Sequence, residues 1–272
     1  MRREAAFGVF CLTTVYPTDT TGLHGNSGGK SAGKDVFPSG KRWKRPEMSG
    51  KRYSRNVWEP VVDGDFLPTS PVTENGFADA GRDIPLLIGS NLNEWTVMGN
   101  PMGNPNEELS RDELNKRLNE KYGDKGQAAL DAFKKAYPNE SETSALYVDN
   151  TLIRLPILKL TAHKADQNGA PVYSYVFTFG TSYHTAEIPF VFNNIDKVTV
   201  SGDRADAEKL SDLMGSAWIN FARSGNPNGD GIPTWKPYTR EKGAAMIFDN
   251  ESYQTENHDK ELMKLLAPDY EY

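Results

Sequence analysis

Between Ile84 and Gly89 the chain reads Ile-Pro-Leu-Leu-Ile-Gly, a short unbroken apolar run stopped by glycine. A run of that length without alternation is how a strand buried on both faces of a parallel sheet looks, so the rest of the chain must cover two faces. A second run, Val172-Tyr-Ser-Tyr-Val-Phe-Thr-Phe179, is rich in β-branched and aromatic residues and is bounded by Pro171 and Gly180, which predicts another strand. Cover is available. Leu210, Leu213, Met214, Ala217, Trp218 and Phe221 form one apolar stripe at helical spacing, which stops at Gly225 and Pro227. Between the two strands, Leu109, Leu114 and Leu118, then Ala129, Leu130 and Phe133, recur with helical spacing in polar surroundings. With Leu152 to Lys164, expected to bend at Pro156, they predict surface or lid-like helices. Strands alternating with helices place the fold in the α/β class.

At 272 residues the expectation is one large domain with an appendage. The net charge of -6 is unevenly spread. Residues 30–55 carry nine Lys/Arg against Asp35 and Glu47, a balance of +7, and the chain after residue 55 carries -13. An acidic body repels phosphates, so no nucleic-acid partner is expected. No stretch approaches the roughly 18 apolar residues that cross a bilayer, so no membrane span is expected either. The single cysteine, Cys11, excludes an intrachain disulfide and a Cys-rich zinc site and leaves the redox compartment open. Thr18 to Arg55 has almost no apolar periodicity and reads as a basic, low-complexity, disordered arm. The boundary falls near residue 57, giving an arm of 1–57 and a folded portion of 58–272. The first residues, MRREAAFGVFCLTTVYP, have the outline of a signal peptide without an A-x-A cleavage site, so localisation is undecided and export stays open.

In open α/β sheets chemistry gathers in loops beyond the carboxyl ends of the strands. The loop after the first strand, Ser90-Asn-Leu-Asn-Glu94, carries an acid, and the loop after the second, Thr181-Ser-Tyr-His184, carries a base. A carboxylate behind an imidazole fixes its tautomer and stabilises the imidazolium formed when a nucleophile loses its proton. Position alone also fits a solvated loop acid at Glu94 and a capping or packing histidine at His184.

The body resembles the C-terminal half of the type-B carboxylesterases, the α/β-hydrolase family that includes cholinesterases and bacterial para-nitrobenzyl esterases. Glu59-Pro-Val-Val-Asp-Gly-Asp-Phe-Leu-Pro68 resembles the segment ahead of the family's acid strand, and Pro85-Leu-Leu-Ile-Gly-Ser-Asn-Leu-Asn-Glu94 resembles that strand and its loop. Tyr183-His-Thr-Ala-Glu-Ile-Pro-Phe-Val-Phe192 is similar to the histidine signature. Ala217-Trp-Ile-Asn-Phe-Ala222, Gly225-Asn-Pro-Asn-Gly229 and Trp235 are similar to the closing helix and turn. The resemblance, over about residues 58–250, implies the C-terminal part of an α/β-hydrolase fold, a mixed, mostly parallel sheet with flanking helices. It implies Glu94 and His184 as acid and base of a Ser-His-Glu triad, a small-molecule carboxylic ester as substrate, and no metal or organic cofactor.

In that family the nucleophile and the oxyanion glycines precede the matched half. Ser27 in Gly25-Asn-Ser-Gly-Gly29 and Ser31 in Gly29-Lys-Ser-Ala-Gly33 fit G-x-S-x-G. Neither has the buried strand before it and helix after it that an elbow needs. The chain alone is therefore expected to be inactive, with self-association through exposed apolar surface. The competing readings are a non-catalytic esterase-like binding protein and a truncated gene product. His24 to Ser31 fails as a phosphate loop because His24 stands where glycine is required. Asn226, Asn228 and Asp230 begin like a calcium loop, but Pro237 occupies the position of the bidentate glutamate, so the segment reads as a turn. His163 and His258 read as solvated, and Glu187, three residues after His184, reads either as an acid that orients the loop or as a simple surface acid, with the structural role preferred.

Overall fold

A computed structural model describes residues 62–73, 76–94, 104–148 and 153–270. The expected arm, its boundary at residue 57, and Ser27 and Ser31 lie outside the described residues. From Pro71 onward the described residues belong to one compact unit, and Val62–Ser70 belongs to a second, where Asp63 caps its own turn by accepting from the backbone N–H groups of Asp65 and Leu67.

The first unit opens on a two-residue hairpin, β1 (Val72–Thr73) and β2 (Gly76–Phe77), then β3 (Leu86–Asn91). Three helices follow, α1 (Arg111–Tyr122), α2 (Gly126–Ala136) and α3 (Arg154–Asp166), and then β4 (Val172–Phe177). After β4 come α4 (Ile188–Val191), α5 (Arg204–Ser224), β5 (Ala244–Phe248), β6 (Tyr253–Glu256) and α6 (Lys260–Leu266). Among the described residues the main sheet has the order β3-β4-β5-β6; β3, β4 and β5 are parallel and β6 is antiparallel to β5. This is the mixed, mostly parallel sheet with flanking helices.

Strand β3 lies two residues later than the apolar run suggests. Ile84 stays outside it, 39% exposed, and the strand runs on through the polar pair Ser90 and Asn91. Gly89 is required by close approach: a Cβ there would sit 2.3 Å from the Tyr175 ring on the neighbouring strand. The pleat divides β4 between two layers. Tyr173, Tyr175 and Phe177 face the stripe of α5, packing with Leu210, Met214, Ala217 and Phe221, while Val176 and Ile247 of β5 pack with residues of α1, α2 and α6. Helix α5 starts where Asp203 accepts from the N–H groups of Ala205 and Asp206 and stops at Gly225 in the left-handed conformation, φ 74°.

Two expectations are corrected. Leu114, Leu118, Leu130 and Phe133 are buried in a core cluster with sheet residues, so α1 and α2 are core helices rather than lid-like ones. Helix α3 begins at Arg154, which puts Pro156 in its first turn, where a missing N–H leaves no ladder bond broken and no bend is called for. The Asn226–Asn228 segment is a turn that seats Trp235: Asn228 Nδ2 donates to the Trp235 carbonyl at 2.8 Å, and the Trp235 N–H donates to Asn228 Oδ1 at 2.7 Å.

His258 is a third correction. It is buried, stacked edge-on to Tyr137 with ring centroids 5.2 Å apart. Burial, reinforced by the nearby Arg154 charge, pushes its imidazole down to about 4, so it is neutral at pH 7 and its 3.8 Å approach to Asp259 is not an ion pair. Asp259 instead takes Arg154 Nε at 2.7 Å and the Tyr137 hydroxyl at 3.3 Å. A cavity of about 40 Å3 beside this pair is lined by Arg154, Ser174, Tyr238 and Asp259 and reaches neither Glu94 nor His184.

Candidate active site

The parallel register of β3 and β4 brings the two predicted residues together. Its last strand pair is Asn91 with Phe177, and an isolated parallel bridge then joins Asn93 to Tyr183. Two steps on the β3 side thus match six on the β4 side, and residues 178–182 loop out between them. The residue after each bridge partner is Glu94 on one side and His184 on the other, so the ladder delivers the acid beside the base. Asn93 fastens the loop: its N–H donates to the Ser182 carbonyl at 3.2 Å, and its Nδ2 donates to the Thr181 carbonyl at 3.1 Å and Ser182 Oγ at 2.9 Å.

His184 Nδ1 lies 2.6 Å from Glu94 Oε2. An ionised carboxylate only accepts, so Nδ1 carries the proton and Nε2 is the basic nitrogen. The Glu94 side chain is 7% exposed and that of His184 31%, an acid shielded from water behind a partly open imidazole. The hydrogen bond from His184 to Glu94 raises the imidazole above its ordinary value; partial burial opposes this, and the charges of Glu94 and Glu187 add to it. The other oxygen of Glu94, Oε1, accepts the backbone N–H of Asn91 at 2.7 Å. Both carboxylate oxygens are therefore fixed.

The base is held from below by its own loop. Phe179, Ala186 and Phe190 are buried in one core cluster, with Phe190 stacked 5.1 Å from Phe177 and 5.5 Å from Phe179. Ser182 and Thr185, flanking the histidine segment, have φ of 40° and 72°. A β-branched residue in that region is strained, a conformation that persists where the surroundings over-determine it. Glu187 is buried, and burial pushes its carboxyl above the usual range while donation from Asn91 Nδ2 opposes the shift. It faces inward rather than lying on the surface. The residue that sequence reading missed is Asn91, whose only local sign is a polar side chain at the carboxyl end of an apolar strand, three residues before the acid.

His163 lies on α3 and is half-buried. Among the described residues there is no group of three or more metal-ligating side chains, and no helix is long and apolar enough to cross a membrane.

Residues 43–264 match the sequence profile of the carboxylesterase family. Para-nitrobenzyl esterase of Bacillus subtilis is 27% identical over 78% of this chain and 43% of its own length. Carboxylesterase 1C of Rattus norvegicus is 28% identical over 69% of this chain and 38% of its own. Among solved structures, an esterase from anaerobic Clostridium hathewayi that can hydrolyse aliphatic aromatic polyesters superposes with a TM-score of 0.64 and 32% identity, covering 70% of this chain and 38% of that one. The chain spans less than half the length of each of these relatives. Since the profile covers most of the chain and the sheet is that of the α/β-hydrolase fold, this chain belongs to the carboxylesterase family.

Proposed function

We propose that Glu94 and His184 are the acid and base of a Ser-His-Glu triad that hydrolyses small carboxylic esters. The observation that carries the reading is the 2.6 Å contact between His184 Nδ1 and Glu94 Oε2, made by two loops at the carboxyl ends of adjacent parallel strands. In such a site His184 Nε2 takes the proton of a serine hydroxyl as its oxygen attacks the ester carbonyl carbon, then returns that proton to the departing alkoxide. Water attacks the acyl-serine in the second half, gives its proton to the same nitrogen, and releases the carboxylic acid. Glu94 stays ionised throughout and stabilises the imidazolium. The serine is supplied from outside the described residues.

For the 272-residue chain alone we infer no credible nucleophile. Ser27 and Ser31, the serines with G-x-S-x-G spacing, stand in a polar, glycine-rich run whose sequence carries neither the apolar strand pattern before the serine nor the helical pattern after it that an elbow requires. A histidine and a glutamate without nucleophile and oxyanion donors forfeit most of the catalytic advantage. The purified chain should therefore hydrolyse p-nitrophenyl butyrate at no more than the background rate. Robust turnover abolished by Ser31→Ala would place the nucleophile in the arm and overturn this part of the reading. Turnover well above background that is indifferent to both His184→Ala and Glu94→Gln would overturn the pair itself.

A further inference from the structure

We propose that Asn91 is a positioning residue for the acid–base pair: its backbone N–H holds the glutamate while its side-chain amide holds both ends of the histidine segment. The proposal deepens the triad reading and rests on it.

A primary amide has two N–H donors and one carbonyl acceptor. Asn91 Nδ2 donates to the Tyr183 carbonyl at 2.7 Å, one residue before His184, and to Glu187 Oε2 at 2.6 Å, three residues after it. The backbone N–H of the same residue donates to Glu94 Oε1 at 2.7 Å, which leaves Oε2 to face His184 Nδ1 at 2.6 Å. One residue of β3 thus fixes the carboxylate and brackets the imidazole. The clamp is also rigid, because Asn91 is the last rung of the β3–β4 ladder, paired with Phe177, and is buried. Groups that hold a reacting constellation act best from such an element.

The amide oxygen shows what the side chain is kept for. Asn91 Oδ1 is buried and has no hydrogen-bond partner, whereas both Nδ2 protons are used. The position spends a buried acceptor to keep two donors. Leucine and aspartate share the branching of asparagine, but leucine has nothing to donate and aspartate would set a third carboxylate against Glu187 and Glu94. Those two acids are also the charged groups that act on the His184 imidazole.

The test is proton and nitrogen NMR of the full chain, comparing the unsubstituted protein with Asn91→Leu and Asn91→Ala. The His184 Nδ1 proton is identified by its loss in His184→Ala. A proton held in a short hydrogen bond to a buried carboxylate resonates at low field and exchanges slowly. The expected result is a low-field signal in the unsubstituted chain that disappears in both Asn91 variants, with the His184 titration midpoint falling. Far-ultraviolet circular dichroism checks that the variants are folded, and Asn91→Ala, which makes no steric demand, serves if Asn91→Leu is not. A folded variant that keeps both the signal and the midpoint overturns the role of Asn91 and leaves the pair intact. An unsubstituted chain with no low-field signal and an ordinary midpoint overturns the acid–base reading and the clamp with it. A purely structural asparagine would change the melting temperature alone.

Discussion

Replacing Arg154 by alanine should destabilise the folded chain by about 3–5 kcal/mol, the typical cost of removing one partner of a buried ion pair. Arg154 and Asp259 are 3% and 4% exposed, and Arg154 Nε donates to Asp259 Oδ2 at 2.7 Å. Asp259 is held well below the usual carboxylate range: burial, the largest single influence, would raise it, and the charge of Arg154, the neighbouring His258 and the hydrogen bonds from Arg154 and Tyr137 together outweigh it. Among the described residues, the carboxylate without the guanidinium keeps the Tyr137 hydroxyl at 3.3 Å as its hydrogen-bond donor. It must then either stay charged while buried or take up a proton. Chemical denaturation of Arg154→Ala beside the unsubstituted chain measures the loss. A change under about 1 kcal/mol, the size expected of an exposed pair, would mean that the two residues are solvated.

A loss of similar size, about 3–5 kcal/mol, is expected for Phe248→Ala, as for other large buried aromatics cut to alanine. Phe248 is fully buried at the end of β5, with the rings of Trp235, Tyr175 and Trp218 at 5.5, 5.7 and 5.9 Å. These three rings come from a turn, from β4 and from α5, so a cavity there loosens sheet and helix at once. Phe192→Ala is the matched control. That ring is 72% exposed, and its removal should change stability by no more than about 0.5 kcal/mol. Equal effects from the two substitutions would contradict the placement of the core.

The contrast between these two phenylalanines shows which parts of the fold the sequence carries. Helix α5 is legible because its stripe, its Asp203 cap and its Gly225 stop are all local. Strand β4 is legible because eight residues, rich in β-branched and aromatic side chains suited to a pleated, buried surface, lie between a proline and a glycine. The limits of β3 are less so: Ser90 and Asn91 are polar, yet the ladder extends through them because their partners are Val176 and Phe177. The burial of α1 and α2 escapes a local reading for the same reason, since their polar faces are plain in the sequence and the sheet they cover is not. His258 is the sharpest case. Its neighbours, Glu256, Asn257, Asp259 and Lys260, describe a solvated turn, while the groups that enclose it include Arg154 and Tyr137, more than a hundred residues earlier.

Glu94 and His184 are legible as candidates because each follows a predicted strand, and the family resemblance joins them. Asn91 is not, because its acceptors lie 92 and 96 residues away and nothing between them has a period. Gly89 falls between these cases. It reads as a strand terminator, whereas its place in the fold is to admit the ring of Tyr175 inside a strand that continues.

The central claim is that Glu94 holds His184 as a base, and the most direct measurement is the titration of the His184 imidazole by NMR in the unsubstituted chain and in Glu94→Gln. The carboxylate stabilises the imidazolium, so the protonated form persists to higher pH and the midpoint lies above the ordinary value of 6.5. Glu94→Gln removes the anion and leaves the burial, so the midpoint moves down. Both results are expected, with the His184 signal assigned by its loss in His184→Ala. A midpoint at or below 6.5 in the unsubstituted chain, unchanged in Glu94→Gln, would contradict it.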